Sequence, residues 1–248
     1  MSSFFYCVFL ENFLINAQNL GDTVLPGSIK SEKIMNNTIY EIMRDRILYM
    51  EYPPGQILNE KVLGEEFGIS RSPVRDVLNR LEWEQLVRII PRTGSMVTEI
   101  EFSKIMNVFQ VRFECEPFES QLAGDQMNGN HLDIFQELKK ECDALFDNKN
   151  RKALAAVDFA IRDIIHDAAG NPVLKEVTER LYTQSFRLWY VVMDKGDWNE
   201  EVRSMSDEID ELSDLIVTGN TKQFGAVRRN RIKIHFERLR QKFFNSAL

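Results

Sequence analysis

Three cysteines in 248 residues, Cys7, Cys115 and Cys142, are odd in number, far apart and never spaced as C-x-x-C. That excludes a disulfide framework and a zinc ribbon, and it fits a reducing cytoplasm. Histidine is as scarce, with only His131, His166 and His235. There is no phosphate loop, no G-x-S-x-G elbow, no H-E-x-x-H pair and no dinucleotide fingerprint, and the Asp163, His166, Asp167 group has no nucleophile beside it. Catalysis is therefore not expected. Low-complexity tracts and internal repeats are also missing. The apolar stretch from Phe4 to Ile15 is interrupted by Glu11 and preceded by no Lys or Arg, so neither a signal peptide nor a spanning helix is expected there. It reads as an amphipathic extension packed on the body or on a partner subunit.

Excess positive charge is lacking as well. The chain carries 31 Lys and Arg against 38 Asp and Glu, a formal charge of −7. A negative sum would argue against nucleic acid if the sum decided, but the local field matters more. Residues 35–100 hold eight basic against ten acidic side chains, whereas 71–92 alone holds Arg71, Arg75, Arg80, Arg88 and Arg92 against Asp76, Glu82 and Glu84. The local excess consists only of arginine, whose planar fork of donors suits phosphate and guanine edges.

What is present is a succession of helical signals. Residues 16–34 are polar, contain Gly21, Pro26 and Gly27, and read as a linker, with order beginning near Met35. Ile39, Ile42, Met43, Ile47 and Leu48 recur at helical spacing until Pro53-Pro54-Gly55. A second helix over 59–67 has Val62, Leu63 and Phe67 on one face and ends at Gly68. Ser70 is a good N-cap for a third helix over 71–84, where Pro73 is tolerated in the first turn. Two β-branched runs, 86–90 and 95–100, flank the turn Pro91-Arg92-Thr93-Gly94 and predict a hairpin. Helix, helix, tight turn, helix, hairpin is the winged helix-turn-helix order. From Phe102 onward strand patterns are absent, and helices are expected near 102–127, 130–148, 151–168, 172–194, 198–218 and 221–245.

The run Pro54-Gly55, Leu58, Glu60, Leu63, Phe67 through Leu78, Leu81, Leu86-Val87, Pro91 through Gly94 and Val97 resembles the GntR-family DNA-binding domain. The helical part resembles the FadR-like C-terminal (FCD) class through Arg112 to Glu116, Asp158 and Gly170-Asn171-Pro172-Val173-Leu174. The resemblance spans roughly 35–248. It implies that Arg71, Arg75 and Arg80 contact DNA from the third helix, that Ser70 and Ser72 hold phosphate, and that Arg92, Thr93 and Gly94 bring the wing tip to the minor groove. It also implies GT and AC in the operator half-sites. Independently of it, Arg71 and Arg75 are four apart on one helix face, clear of the Val74, Val77, Leu78 and Leu81 face that must bury. A merely solvated basic face is the competing reading.

Many FCD proteins hold a divalent metal through an Asp, a His four residues later and two further His on the last two helices. Here the resemblance keeps only Asp158; the next position is Arg162, and the others fall near Ile209 and Arg231. Guanidinium has no lone pair to offer a metal, so no metal and no other cofactor are expected. His166, at a helix C-terminus, does not repair the set by itself; a site rebuilt from His166 and His235 is the alternative. Instead Arg162 and Arg231 are expected to converge on Asp158, with Arg112 in the same pocket, and to leave a positive charge that a small carboxylate or phosphate effector pairs. The plainer reading is a surface Asp158–Arg162 pair and a snorkelling Arg231. Phe186 to Val192 reads as core, with Trp189 or Tyr190 as alternative pocket-lining residues, and 222–242 as a solvated basic face.

The sequence therefore predicts a mainly α protein in three parts: an extension over 1–34, a winged helix-turn-helix over 35–100 and an all-α helical bundle over 101–248. The expected function is transcription regulation by a cytoplasmic, nucleoid-associated homodimer that binds double-stranded operator DNA under control of a small anionic effector, with no membrane partner. An architectural DNA-binding protein whose helical part only dimerises is the second reading.

Overall fold

The structure, a computed structural model, describes residues 27–193 and 195–245, with side chains for 36–193 and 195–244. The Phe4 to Ile15 extension lies outside the described residues. Helix α1 (Gly27–Leu48) is followed by strand β1 (Ile57–Leu58), α2 (Glu60–Phe67), α3 (Arg71–Trp83) and strands β2 (Val87–Ile90) and β3 (Gly94–Val97). Then come α4 (Phe102–Gly124), α5 (Gly129–Asp143), α6 (Arg151–Ala169), α7 (Pro172–Val192), α8 (Trp198–Val217) and α9 (Phe224–Asn245). Residues 27–34, expected to be linker, form the first turns of α1 instead. After Pro26-Gly27 the stretch Ser28 to Met35 contains no further Pro or Gly to stop a helix.

The N-terminal unit packs Ile39, Met43, Ile47 and Leu48 of α1 against Val74, Val77, Leu78 and Leu81 of α3. Asn59 caps α2 by accepting from the Lys61 and Val62 amides, and Gly68 ends it at φ 66°, a conformation that costs glycine little. The sheet order is β1-β3-β2, all antiparallel, with Val87 opposite Val97 and Ile90 opposite Gly94. Gly94 has φ 128°, and a Cβ there would lie 3.0 Å from the Leu58 carbonyl of β1, so only glycine lets the hairpin approach that strand. The hairpin stops at Val97 rather than at Ile100.

The second unit is helical throughout its described residues, and α4 lies at its centre in contact with α6, α7 and α9. Asn150 and Asn171 cap α6 and α7 through the Ala153 and Leu174 amides, each at 3.0 Å, and Gly170 terminates α6 at φ 61°. No helix of the described residues is long and apolar enough to cross a membrane. The two units meet along α7. Arg187 donates to the Thr98 carbonyl (2.6 Å) and hydroxyl (3.0 Å), Arg44 donates to the Thr183 hydroxyl (3.0 Å), and Tyr49 sets its ring edge-on to Phe186 and Tyr190.

Helices α4 and α9 approach closely because glycines stand at their crossing. A Cβ at Gly225 would lie 2.6 Å from the Pro117 carbonyl oxygen, and one at Gly124 would lie 2.3 Å from that of Thr221. Gly225→Ala should therefore cost about 1–3 kcal/mol, seen as a lower urea midpoint at unchanged slope. Gly129→Ala, where nothing lies within 4 Å of the new atom, should cost nothing.

Candidate DNA interface and interior charge cluster

Helix α3 buries Pro73, Val74, Val77, Leu78 and Leu81 and leaves Arg71, Ser72, Arg75 and Arg80 exposed. The alternation follows from the 3.6-residue period, which also separates the arginines. Arg71 and Arg75 share a face and Arg80 does not. The Arg80 guanidinium instead lies 3.4 Å from the centre of the Tyr40 ring and donates to Asn37 (3.2 Å), which turns it back onto α1. Arg80, expected to contact DNA with the other two, thus lies on a different face of the helix, although it is exposed.

Arg75 donates through Nε (3.0 Å) and Nη2 (2.8 Å) to the two oxygens of Glu60 at the start of α2. Bonding to Arg75 holds the Glu60 carboxyl below its ordinary range. Ser70 occupies the N-cap position of α3 but makes no side-chain cap bond, and its side chain is exposed. Arg92, at φ 67°, and Thr93 are exposed at the hairpin tip beside Gly94. The surface thus offers guanidinium forks and hydroxyls from one helix face and one loop, the donor set that phosphate and base edges accept.

Inside the helical unit the structure differs from the expected pocket. Glu116 of α4, only 2% exposed, is the centre. Its Oε1 accepts from Arg112 Nε, and its Oε2 accepts from Arg162 Nη1 of α6 (2.9 Å) and Arg228 Nη2 of α9 (3.0 Å). Arg228 also donates to Glu208 of α8, and Arg112 to the Ser185 hydroxyl of α7 (2.7 Å). Asp158 accepts from the Tyr182 hydroxyl, and the Tyr182 ring lies 3.9 Å from the Arg162 guanidinium. Burial alone would raise the Glu116 carboxyl, but the three guanidiniums outweigh it and hold it well below the usual carboxylate range. Burial raises Asp158 despite Arg162 and Arg228.

Three guanidiniums therefore face three carboxyls, and the unpaired positive charge expected from Arg162 and Arg231 is not there. Arg231 turns away to α8, where Glu211 takes its Nε (2.9 Å) and Nη2 (2.7 Å). The reason lies in helix phase. Arg228 is four residues from both Phe224 and Ile232, which are buried, whereas Ile234, three residues beyond Arg231, is 38% exposed. That stripe is the signal in the sequence that selects Arg228. Ile209 packs in the apolar core, and its neighbour Glu208 faces the cluster. Glu116, Glu208, Arg228 and Tyr182 are thus the members that sequence reasoning misses. A metal does not fit at Asp158, because the groups that meet it are guanidiniums and a phenol.

His235 does not join His166; it packs against the Phe109 and Trp189 rings beside Arg238 (3.4 Å). Burial, then Arg238, Arg112 and Arg228, lower it well below 6.5, against a smaller opposite pull from Glu116. An unfolded chain therefore takes a proton on this imidazole below about pH 6.5 while the folded chain does not, so stability falls by up to about 1.4 kcal/mol per pH unit. The depressed Glu116 adds a second loss below the ordinary glutamate range, whereas the raised Asp158 and Asp163 act in the opposite sense. In denaturant titrations from pH 6.5 to 5.5, the stability of His235→Gln should fall less steeply than that of wild type.

Comparison with known proteins bears on both units. Residues 35–97 match the family described as "Bacterial regulatory proteins, gntR family", and residues 107–232 match the FCD domain. The HTH-type transcriptional regulator YieP of Escherichia coli is 30% identical over 59% of this chain and 72% of its own. YdhC of Bacillus subtilis is 23% identical over 57% of this chain, and the match spans 64% of the relative's length. Among solved structures, E. coli McbR/YncC superposes with a TM-score of 0.74 at 18% identity, covering 84% of this chain and 98% of that one. A GntR regulator from Rhodococcus sp. RHA1 gives 0.63 at 17% identity, covering 82% and 96%. These two share the fold. The winged helix-turn-helix order, the helical unit behind it and the two family matches make this chain a member of the bacterial gntR family of transcription regulators, with an FCD domain.

Proposed function

We propose that the chain is a repressor that binds a palindromic operator as a homodimer and releases it when a small anionic effector enters the FCD domain. The observation that carries effector control is the double engagement of α7. Within that helix Tyr182 and Ser185 bond to Asp158 and Arg112 of the charge cluster, while Thr183 and Arg187 bond to Arg44 and Thr98 of the DNA-binding unit. A ligand that rearranges the cluster would move a helix that both units hold.

Because the cluster is balanced, the effector would act by exchange. Its carboxylate would enter on the side of the part-buried Asp158 and take the Arg228 fork from Glu208, with Arg162 and Arg112 beside it. Arg228 replaces Arg231 in this assignment. A ligand shifts the equilibrium only by its differential affinity for the two arrangements, and about 5- to 150-fold in operator affinity is the ordinary range. The same charge balance favours the second reading, an architectural DNA-binding protein that needs no ligand.

Two measurements test these readings. In operator titrations, Arg71→Ala and Arg75→Ala should each weaken binding on the order of tenfold or more and relax base preference. Arg80→Ala should leave base preference as in wild type. In a thermal-shift screen of hydroxy acids, sugar acids, amino acids and dicarboxylates, hits should bind Glu208→Gln more tightly than wild type and Arg231→Ala equally. A protein that responds only to uncharged compounds, or whose operator binding no ligand changes, would be the architectural alternative or a sensor of another class.

A further inference from the structure

A second group of side chains lies one turn further along α6. His166 is 4% exposed, and its Nε2 is 3.4 Å from Glu119 Oε2 of α4 and 3.4 Å from the Thr178 hydroxyl. The Thr178 proton already goes to the Leu174 carbonyl at 2.9 Å, so both neighbours of Nε2 are acceptors and the ring proton belongs on Nε2. Nδ1 then carries a lone pair. It is buried, has no hydrogen-bond partner, and faces Glu179 Oε1 of α7 at 3.7 Å, too long for a hydrogen bond. Asp163, three residues before His166, brings a carboxylate to the same place, and ligand atoms of Asp163, His166 and Glu179 all lie within 4.8 Å of one another. Glu119, 2% exposed, has Oε1 buried without a donor. The nearby cation Lys175 sits at the edge, 3.8 Å from Glu179 and 3.6 Å from Asp167.

From this geometry we infer that Asp163, His166 Nδ1 and Glu179 form a site for a divalent first-row cation, manganese or zinc, with Glu119 orienting the imidazole from behind. An imidazole nitrogen with two carboxylates suits these ions, and a carboxylate on the far ring nitrogen is the usual support for a metal-bound histidine. The cation would give the buried lone pair the partner it lacks and would compete with Lys175, which lies 3.8 Å from the same Glu179 Oε1 and is the chief positive neighbour of Asp163. Asp163 is exposed, which provides an entry path and room for water to complete the coordination. The set shares no residue with the Asp158 position, and it departs from the sequence expectation of no cofactor. It ties α6 to α7, the helix that reaches the DNA-binding unit.

The test uses the full chain, stripped with chelator and titrated separately with Zn²⁺ and Mn²⁺ by calorimetry, with thermal melts in parallel. One site per chain and a raised melting temperature are expected. Asp163→Asn combined with Glu179→Gln, both away from the core, should weaken binding more than about tenfold and remove the thermal gain, and Glu119→Gln should weaken it by about 10–100-fold. Asp158→Asn should bind as wild type does. Absence of saturable binding, equal affinity in the double variant, or loss only in Asp158→Asn overturns the proposal. None of these readouts involves operator or effector, so failure here and failure of the proposed regulation are separate results.

Discussion

The FCD domain is organised around one buried carboxylate. Glu116 lies on the central helix and receives a guanidinium from α4, α6 and α9, so it holds three helices at once. A charge so deeply buried is tolerated only when each partner is present and well placed, and removing one partner from such a group commonly costs about 3–5 kcal/mol. That requirement reaches into the backbone. Arg228 meets Glu116 only if α9 lies close on α4, and the approach is made by Gly225 against the Pro117 carbonyl and Gly124 against that of Thr221. The glycines and the arginine are parts of one arrangement, in which small residues at a crossing let a short salt bridge form behind it.

The same network gives α7 its place. Its inner face carries Tyr182 and Ser185 into the cluster, and its other contacts, through Thr183 and Arg187, reach the DNA-binding unit. Arg187 is 3% exposed, and burial pushes its guanidinium down to about 10. It stays charged at neutral pH, so the interface holds a desolvated cation satisfied by Thr98 alone among its hydrogen-bond partners in the described residues. Such a contact depends on geometry more than an apolar one does, because a small displacement of α7 leaves a charge without its acceptor.

Much of this is legible in the sequence, and what is not has a physical reason. Among the six helices from Phe102 onward, the breaks at Gly170-Asn171-Pro172, Gly196 and Gly219 are punctuated in the sequence. The face of α3 follows from Val74, Val77, Leu78 and Leu81. Residues 27–34 escape because Pro26-Gly27 reads equally as a break inside a linker and as the start of a helix. The cluster escapes for a different reason. Arg228 and Arg231 are three residues apart and differ by only about 60° of helix phase, and which of them meets Glu116 rests on whether Phe224 and Ile232 or Val227 and Ile234 face inward. Arg112 and Glu116 stand four apart and pair as that spacing allows, but their distant partners Arg162 and Arg228 lie 46 and 112 residues further along the chain.

The acidic balance of the chain acquires a meaning at the DNA face. In the proposed docking, Arg75 approaches a duplex already holding both oxygens of Glu60. Glu60 engages Nε and one Nη2 hydrogen, which leaves the outer Nη1/Nη2 edge for acceptors in the plane of the guanidinium, and a guanine edge offers two. A single phosphate oxygen or a mismatched base would fill fewer of those donors. In that proposed docking Glu60 would fix the orientation of the fork, and a negative charge beside it would disfavour partners that cannot match its geometry. A net charge of −7 opposes non-specific attraction to DNA, so in the proposed docking the local arginine geometry would have to carry the binding.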